Sequence, residues 1–125
     1  MKRKLLIFSL LLVVQFVKAQ QTCATALPIT TSGTFVVDAI NGTEVPQPIC
    51  SQYGQIPEED IPAGEWYVYT PTGDFTVRVT SDLVANSPRK DTRVHIYVGT
   101  CTGGFTCHAG DDDSGANLSS TTTFD

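Results

Sequence analysis

The sequence predicts an all-β sandwich. Three observations carry that prediction: three apolar segments alternate with a period of two, turn-forming residues separate them at short intervals, and no stretch keeps a helical period. Across residues 65–70, Trp66 and Val68 oppose Tyr67 and Tyr69. Across 75–80, Phe75, Val77 and Val79 oppose Thr76, Arg78 and Thr80. Across 93–98, Val94, Ile96 and Val98 oppose His95 and Tyr97. Such alternation places one face of each strand on a core and the other toward solvent.

The chain begins with an export leader. Lys2-Arg3-Lys4 forms a basic start, residues 5–17 an apolar run, and Val17-Lys18-Ala19 a cleavage site that leaves Gln20 first. The apolar run is about 13 residues, shorter than the roughly 20 a membrane-spanning helix needs. A leader is therefore expected rather than an anchor, and no membrane span after cleavage. The remaining chain, residues 20–125, is one domain. It holds 4 basic residues against 13 acidic ones, a net charge of −9. Phosphate backbones would repel such a surface, which argues against nucleic acid; a divalent cation would not be repelled.

After a short lead-in, residues 27–30 form a brief strand, with Pro28 placing it at an edge. Thr31-Ser32-Gly33 is a turn, residues 34–40 a β-branched strand, and Asn41-Gly42 its end. Residues 41–64 then lose all period. They hold Pro46, Pro48, Pro57 and Pro62 and the acidic run Glu58-Glu59-Asp60, and Cys50 in their middle suggests a tied-down loop. Strands at 65–70 and 75–80 are expected to pair as a hairpin through Pro71-Thr72-Gly73-Asp74. A polar connection, a strand at 93–98, a turn at 100–104 and a short strand at 105–108 follow. An acidic loop covers 111–114. A last strand at 119–124 shows no evident partner, which suggests a fragment whose C-terminal strands are missing.

Four cysteines remain after the leader: Cys23, Cys50, Cys101 and Cys107. An exported chain makes two disulfides the expectation. Of the three pairings open to four cysteines, locality favours Cys23–Cys50 and Cys101–Cys107. Zinc is disfavoured, since paired C-x-x-C is missing and only His95 and His108 could assist.

Several motifs together resemble a known family. They are a cysteine followed by alanine (Cys23-Ala24), W-Y-x-Y-T-P from Trp66 to Pro71, F-T-V-x-V-T from Phe75 to Thr80, D-T-R-V-x-I-Y-x-G-x-C from Asp91 to Cys101, and C-x-x-x-D-D-D from Cys107 to Asp113. The chain from Cys23 to Asp125 resembles the secreted β-sandwich modules of the bacterial pre-peptidase C-terminal type. The family's later Y-Y-I-x-V-like segment is missing, and the cysteine many relatives carry after the F-T-V strand is here Ser81 or Asp82. The resemblance implies an antiparallel jelly-roll-like sandwich without catalytic activity. Such modules accompany secreted peptidases and adhesins, often in Bacteroidetes, where leaders ending Ala-Gln and type IX sorting domains are common.

The candidate sites are few. Asp111, Asp112 and Asp113 are clustered carboxylates, and calcium takes six to eight oxygen ligands. Asp111 and Asp113 are expected to reach one ion, with Asp91 adding a third side chain. The run is not an EF-hand, since Gly115 and Thr122 stand where oxygen ligands belong. Ser114 lacks the G-x-S-x-G elbow, and His95 alternates out of the core face, so no nucleophile or base is assigned. Trp66, Tyr67, Tyr69 and Tyr97 could offer an aromatic platform to a glycan; Trp66 is expected in the core instead. The expected function is a non-catalytic binding or accessory module of a larger secreted or cell-surface protein, serving adhesion or substrate targeting, with an extracellular protein or polysaccharide as partner. Two alternatives stand beside it: an accessory domain of a secreted peptidase or other hydrolase whose catalytic domain lies elsewhere, and a structural spacer of a surface protein.

Overall fold

The computed structural model describes residues 20–44, 47–50, 64–86 and 91–125. The leader, the run Glu58-Glu59-Asp60 and Pro88 lie outside the described residues. Among the described residues, all regular structure is β-strand or single 3-10 turns. The strands are β1 (Leu27–Ile29), β2 (Tyr67–Tyr69), β3 (Val77–Thr80), β4 (Val94–Thr100), β5 (Gly104–Asp111) and β6 (Thr121–Phe124). They pair as three two-stranded sheets: β1 with β2, β3 with β6, and β4 with β5.

The pairing departs from the expected hairpin. β2 runs parallel to β1, with Leu27 opposite Tyr67. Two main-chain bonds lead into that register, from Trp66 N to Gln20 O (2.6 Å) and from Leu27 N to Trp66 O (2.9 Å). β3 takes β6 as an antiparallel partner instead, Val77 opposite Phe124 and Thr80 opposite Thr121. The last strand therefore has a partner in sequence already passed. Residues 34–40 form no strand. Val36 is 83 % exposed, and with no ladder bonds from a neighbour among the described residues the β-branched composition alone does not hold a strand.

The β4–β5 hairpin is the longest pairing, running from Val94 opposite Asp111 to Thr100 opposite Gly104. A register shift between Ile96 and Tyr97 leaves His108 as the extra residue on β5, a bulge that sharpens the local twist. Gly99 allows the hairpin to close: its φ is +148° and a side chain there would run into the Gly104 carbonyl. The faces also differ from expectation. Val98, assigned to the core, is exposed, while His95 and Tyr97 are half-buried. The bulge and the Trp66 ring account for this. Trp66 lies over the face bearing Tyr97, with ring centroids 6.0 Å apart, and over Phe105 at 5.5 Å. As expected, Trp66 is in the core; it is the buried large hydrophobic residue among the described ones.

Both disulfides form, but crossed relative to the local pairing. Cys23 bonds Cys101, with Cα atoms 5.7 Å apart, and Cys50 bonds Cys107 at 5.3 Å. The hairpin explains why. Cys101 sits in the turn, whereas Cys107 opposes Tyr97 well inside the ladder. Three strand residues beyond the turn is about 10 Å, outside the roughly 7 Å that a disulfide spans. Each cysteine of the hairpin therefore takes its partner from the first half of the chain. Cys50 is held there by its N–H, which donates to His95 Nδ1 (3.0 Å), and it lies against Gly110, where a Cβ would fall 2.5 Å from the Cys50 carbonyl oxygen.

Candidate functional site

Three groups of residues stand out, and the strands position each. The first is aromatic. Tyr67 and Tyr69 are two apart on β2 and share a face. Phe35 packs edge-on to Tyr67 (6.1 Å), and Phe75 edge-on to Tyr69 (6.4 Å). The result is a row of four rings along one side of β2. Phe35, Tyr67 and Phe75 are 39 %, 36 % and 48 % exposed, so the row faces solvent. Trp66, on the opposite side of the chain, is removed from it. The platform considered from sequence thus divides: Tyr67 and Tyr69 stay outside, Trp66 and Tyr97 pack inside, and Phe35 and Phe75 join the outer group. Burial pushes the Tyr97 hydroxyl well above the ordinary tyrosine range, and it donates to the Pro48 carbonyl (2.7 Å).

The second group is acidic. Carboxylate oxygens of Asp91, Asp112 and Asp113 lie within 4.8 Å of one another. Asp111, expected in this set, is elsewhere. It is the last residue of β5, and its Oδ2 accepts the main-chain N–H groups of Thr121 (2.7 Å) and Ser114 (3.1 Å). Desolvation pushes its pKa up, but these bonds, with others from the Ser114 side chain and Asp112 main chain, outweigh it and hold the carboxyl below its ordinary value. Past Asp111 the strand ends in a bend, so the alternation of an extended chain no longer applies and Asp112 and Asp113 come to the same side. Asp112 is buried and accepts from Arg93 Nε (2.9 Å). The Asp113 pKa is raised, by desolvation first and then by the negative charges of Asp112 and Asp91.

His95 belongs to neither group. It is half-buried rather than a surface residue, and its ring stacks on Tyr97 at 6.1 Å. Desolvation, then the Arg93 charge, lowers its pKa, consistent with an unprotonated Nδ1 accepting the Cys50 N–H. This is a structural bond, and it holds the chain at Cys50 against β4. His108, the bulged residue, is exposed and bonds the Asp125 carbonyl through Nε2 (3.0 Å).

The third group was not singled out from sequence. Ser120 is fully buried, at 0 % exposure. Its Oγ lies within bonding distance of two carbonyls, those of Thr92 and Asp112, and its single proton serves one at a time. Its N–H donates to Ser81 Oγ (2.9 Å) and approaches Thr92 Oγ1 (3.2 Å), while its carbonyl accepts from Ser81 N (2.9 Å). Ser81 follows β3, Ser120 precedes β6, Thr92 precedes β4 and Asp112 follows β5. One serine thereby bolts the β3–β6 pair to the β4–β5 hairpin. The same segment bonds the acidic group's own strand end, so the geometry of Asp112 depends on it.

No protein-family model matches the chain, and neither a curated protein nor a solved structure matches it.

Proposed function

We propose that the chain is a non-catalytic extracellular binding module, a jelly-roll-like sandwich of the pre-peptidase C-terminal type, that serves adhesion or substrate targeting within a larger secreted protein. The paired cysteines support an oxidising compartment. No described helix is long and apolar enough to cross a membrane. The observation that carries the reading is the exposed row Phe35, Tyr67, Tyr69 and Phe75.

An exposed aromatic row on a domain of net negative charge suits an uncharged ligand. A neutral polysaccharide fits best: the C–H groups on a sugar's apolar face meet the electron-rich face of a ring. Co-sedimentation with a panel of insoluble neutral polysaccharides is expected to retain the wild-type domain. Tyr67→Ala/Phe75→Ala is expected to weaken retention by at least about tenfold, or ~1.4 kcal/mol. Wild-type protein left in the supernatant with every polysaccharide, or equal retention of the variant, would defeat this reading.

A second reading places a calcium ion at Asp91, Asp112 and Asp113, favoured by the approach of their carboxylates. Arg93 already neutralises one of the three charges and occupies Asp112 Oδ1, so most of the six to eight oxygens calcium takes would come from Asp91, Asp113, main chain and water. Binding to the folded state alone stabilises by about 2.7 kcal/mol at a hundredfold excess over Kd. The expected result is a melting midpoint that rises with millimolar calcium but not with sodium at equal ionic strength, and that stops responding in Asp91→Asn/Asp113→Asn. Asp112 is left intact so that Arg93 keeps its partner. Equal responses to calcium and sodium in the wild type would rule the ion out.

A further inference from the structure

Three separate stretches meet beside β1 and β2. Thr43 N and Glu44 N both donate to Gln21 O (2.9 and 3.2 Å), Gly64 N donates to Glu44 O (3.2 Å), and Cys23 N donates to Glu44 Oε2 (2.6 Å). Gly42 lies at the centre of this clamp and is buried. A side chain at that position would fall on the Gly64 carbonyl oxygen and within 3.0 Å of the Gln21 carbonyl oxygen. The clamp therefore requires glycine at 42. The residue before it is Asn41, which is exposed.

That requirement has a chemical consequence. An asparagine amide is attacked by the main-chain nitrogen of the next residue, and a side chain on that residue shields the nitrogen. Glycine supplies no shield. Among the described residues, nothing accepts the Gly42 N–H. We propose that Asn41 is a spontaneous modification site, which converts to isoaspartate through a succinimide with Gly42 and thereby opens the clamp.

In the first step the deprotonated Gly42 nitrogen forms a bond to Asn41 Cγ, the Cγ–Nδ2 bond breaks, and ammonia leaves with the proton. In the second, water adds to one of the two imide carbonyls. Opening at Cγ gives aspartate; opening at the main-chain carbonyl gives isoaspartate, whose backbone runs through the former side chain. The net change is one water consumed and one ammonia released, with no oxidant or reductant.

Both products fit this place poorly. Asn41 N–H donates to Glu65 Oε1 (3.0 Å), and Asn41 Oδ1 accepts from Gln21 Nε2 (3.3 Å). A carboxylate at 41 adds a negative charge beside Glu65. Isoaspartate also lengthens the chain by one methylene immediately before Gly42, which is buried against the Gly64 and Gln21 carbonyls. Thr43 and Glu44 then lose their register on Gln21, and Glu44 its hold on Cys23.

The test is ageing of the full domain at physiological temperature and mildly alkaline pH, followed by peptide mapping and melting. The expected result is ammonia loss concentrated at Asn41 over Asn86 and Asn117, isoaspartate in that peptide, and a melting midpoint for the deamidated fraction lower by at least about 4 °C. Asn41→Ser, aged in parallel, should keep its midpoint. Asn41 remaining intact while the denatured chain deamidates there would overturn the proposal, because the fold would then protect the bond. A deamidated fraction that melts with the fresh protein would overturn the opening of the clamp.

Discussion

Removing either disulfide is expected to take away about 4 kcal/mol of stability and to lower the denaturation midpoint sharply. The bonds close loops of 78 and 57 residues. By loop-closure entropy each stabilises the folded state by about 4 kcal/mol, against a total of roughly 5–15 kcal/mol for a protein of ordinary stability. Little else is available to compensate, since Trp66 is the buried large hydrophobic among the described residues. Urea titrations of Cys23→Ser/Cys101→Ser and of Cys50→Ser/Cys107→Ser should each show the loss, and mapping of the non-reduced protein should link Cys23 to Cys101 peptides. An unchanged midpoint in either variant, or a Cys23–Cys50 fragment, would contradict the pairing.

Ser120→Val is expected to cost about 2–6 kcal/mol. Removing the hydroxyl leaves two buried carbonyls, those of Thr92 and Asp112, without their shared donor, at about 1–3 kcal/mol. The one extra methyl group has no space at a fully buried site, which adds a further 1–3 kcal/mol or so. Ser120→Ala separates the two contributions, since it removes the donor without the bulk. Thr123→Val, on the exposed side of β6, should stay within about 0.5 kcal/mol of wild type. Denaturation midpoints decide the matter: a Ser120→Val protein as stable as Thr123→Val would mean that the two sheets are not joined through this residue.

The period-two alternation made the strand content legible, along with the edge strand at Leu27, the β4–β5 turn and the inward position of Trp66. Alternation reports faces, not neighbours. The turn at Pro71-Thr72-Gly73-Asp74 has good hairpin chemistry, yet β2 pairs with β1 and β3 waits for β6. The same limit applies to the cysteines: nearness along the chain favoured Cys101–Cys107, but a strand separates them too rigidly to bond. In the acidic run no local signal distinguished Asp111 from Asp112. Which of them turns toward Asp91 depends on where β5 ends, and the distant Arg93 and Thr121 take one each. Ser120 escaped notice because a Ser-Ser-Thr-Thr-Thr stretch reads as a polar surface strand. Its one available signal was the pair of small hydroxyl residues at 119–120 placed immediately before a β-branched run, where two sheets can approach closely.

The crossed cysteine bonds also set an order of events. A chain released from its N-terminus presents Cys23 and Cys50 to an oxidant while Cys101 and Cys107 are still to come. The only pairing then on offer is one that the finished fold does not contain. β3 is likewise stranded until residues 121–124 arrive. The β1–β2 pair can form before Cys101 arrives, but neither native disulfide can, and any premature Cys23–Cys50 bond must be undone by attack of a later thiolate on that bond. Uncatalysed, such reshuffling takes minutes to hours, far longer than the microseconds in which a hairpin such as β4–β5 closes.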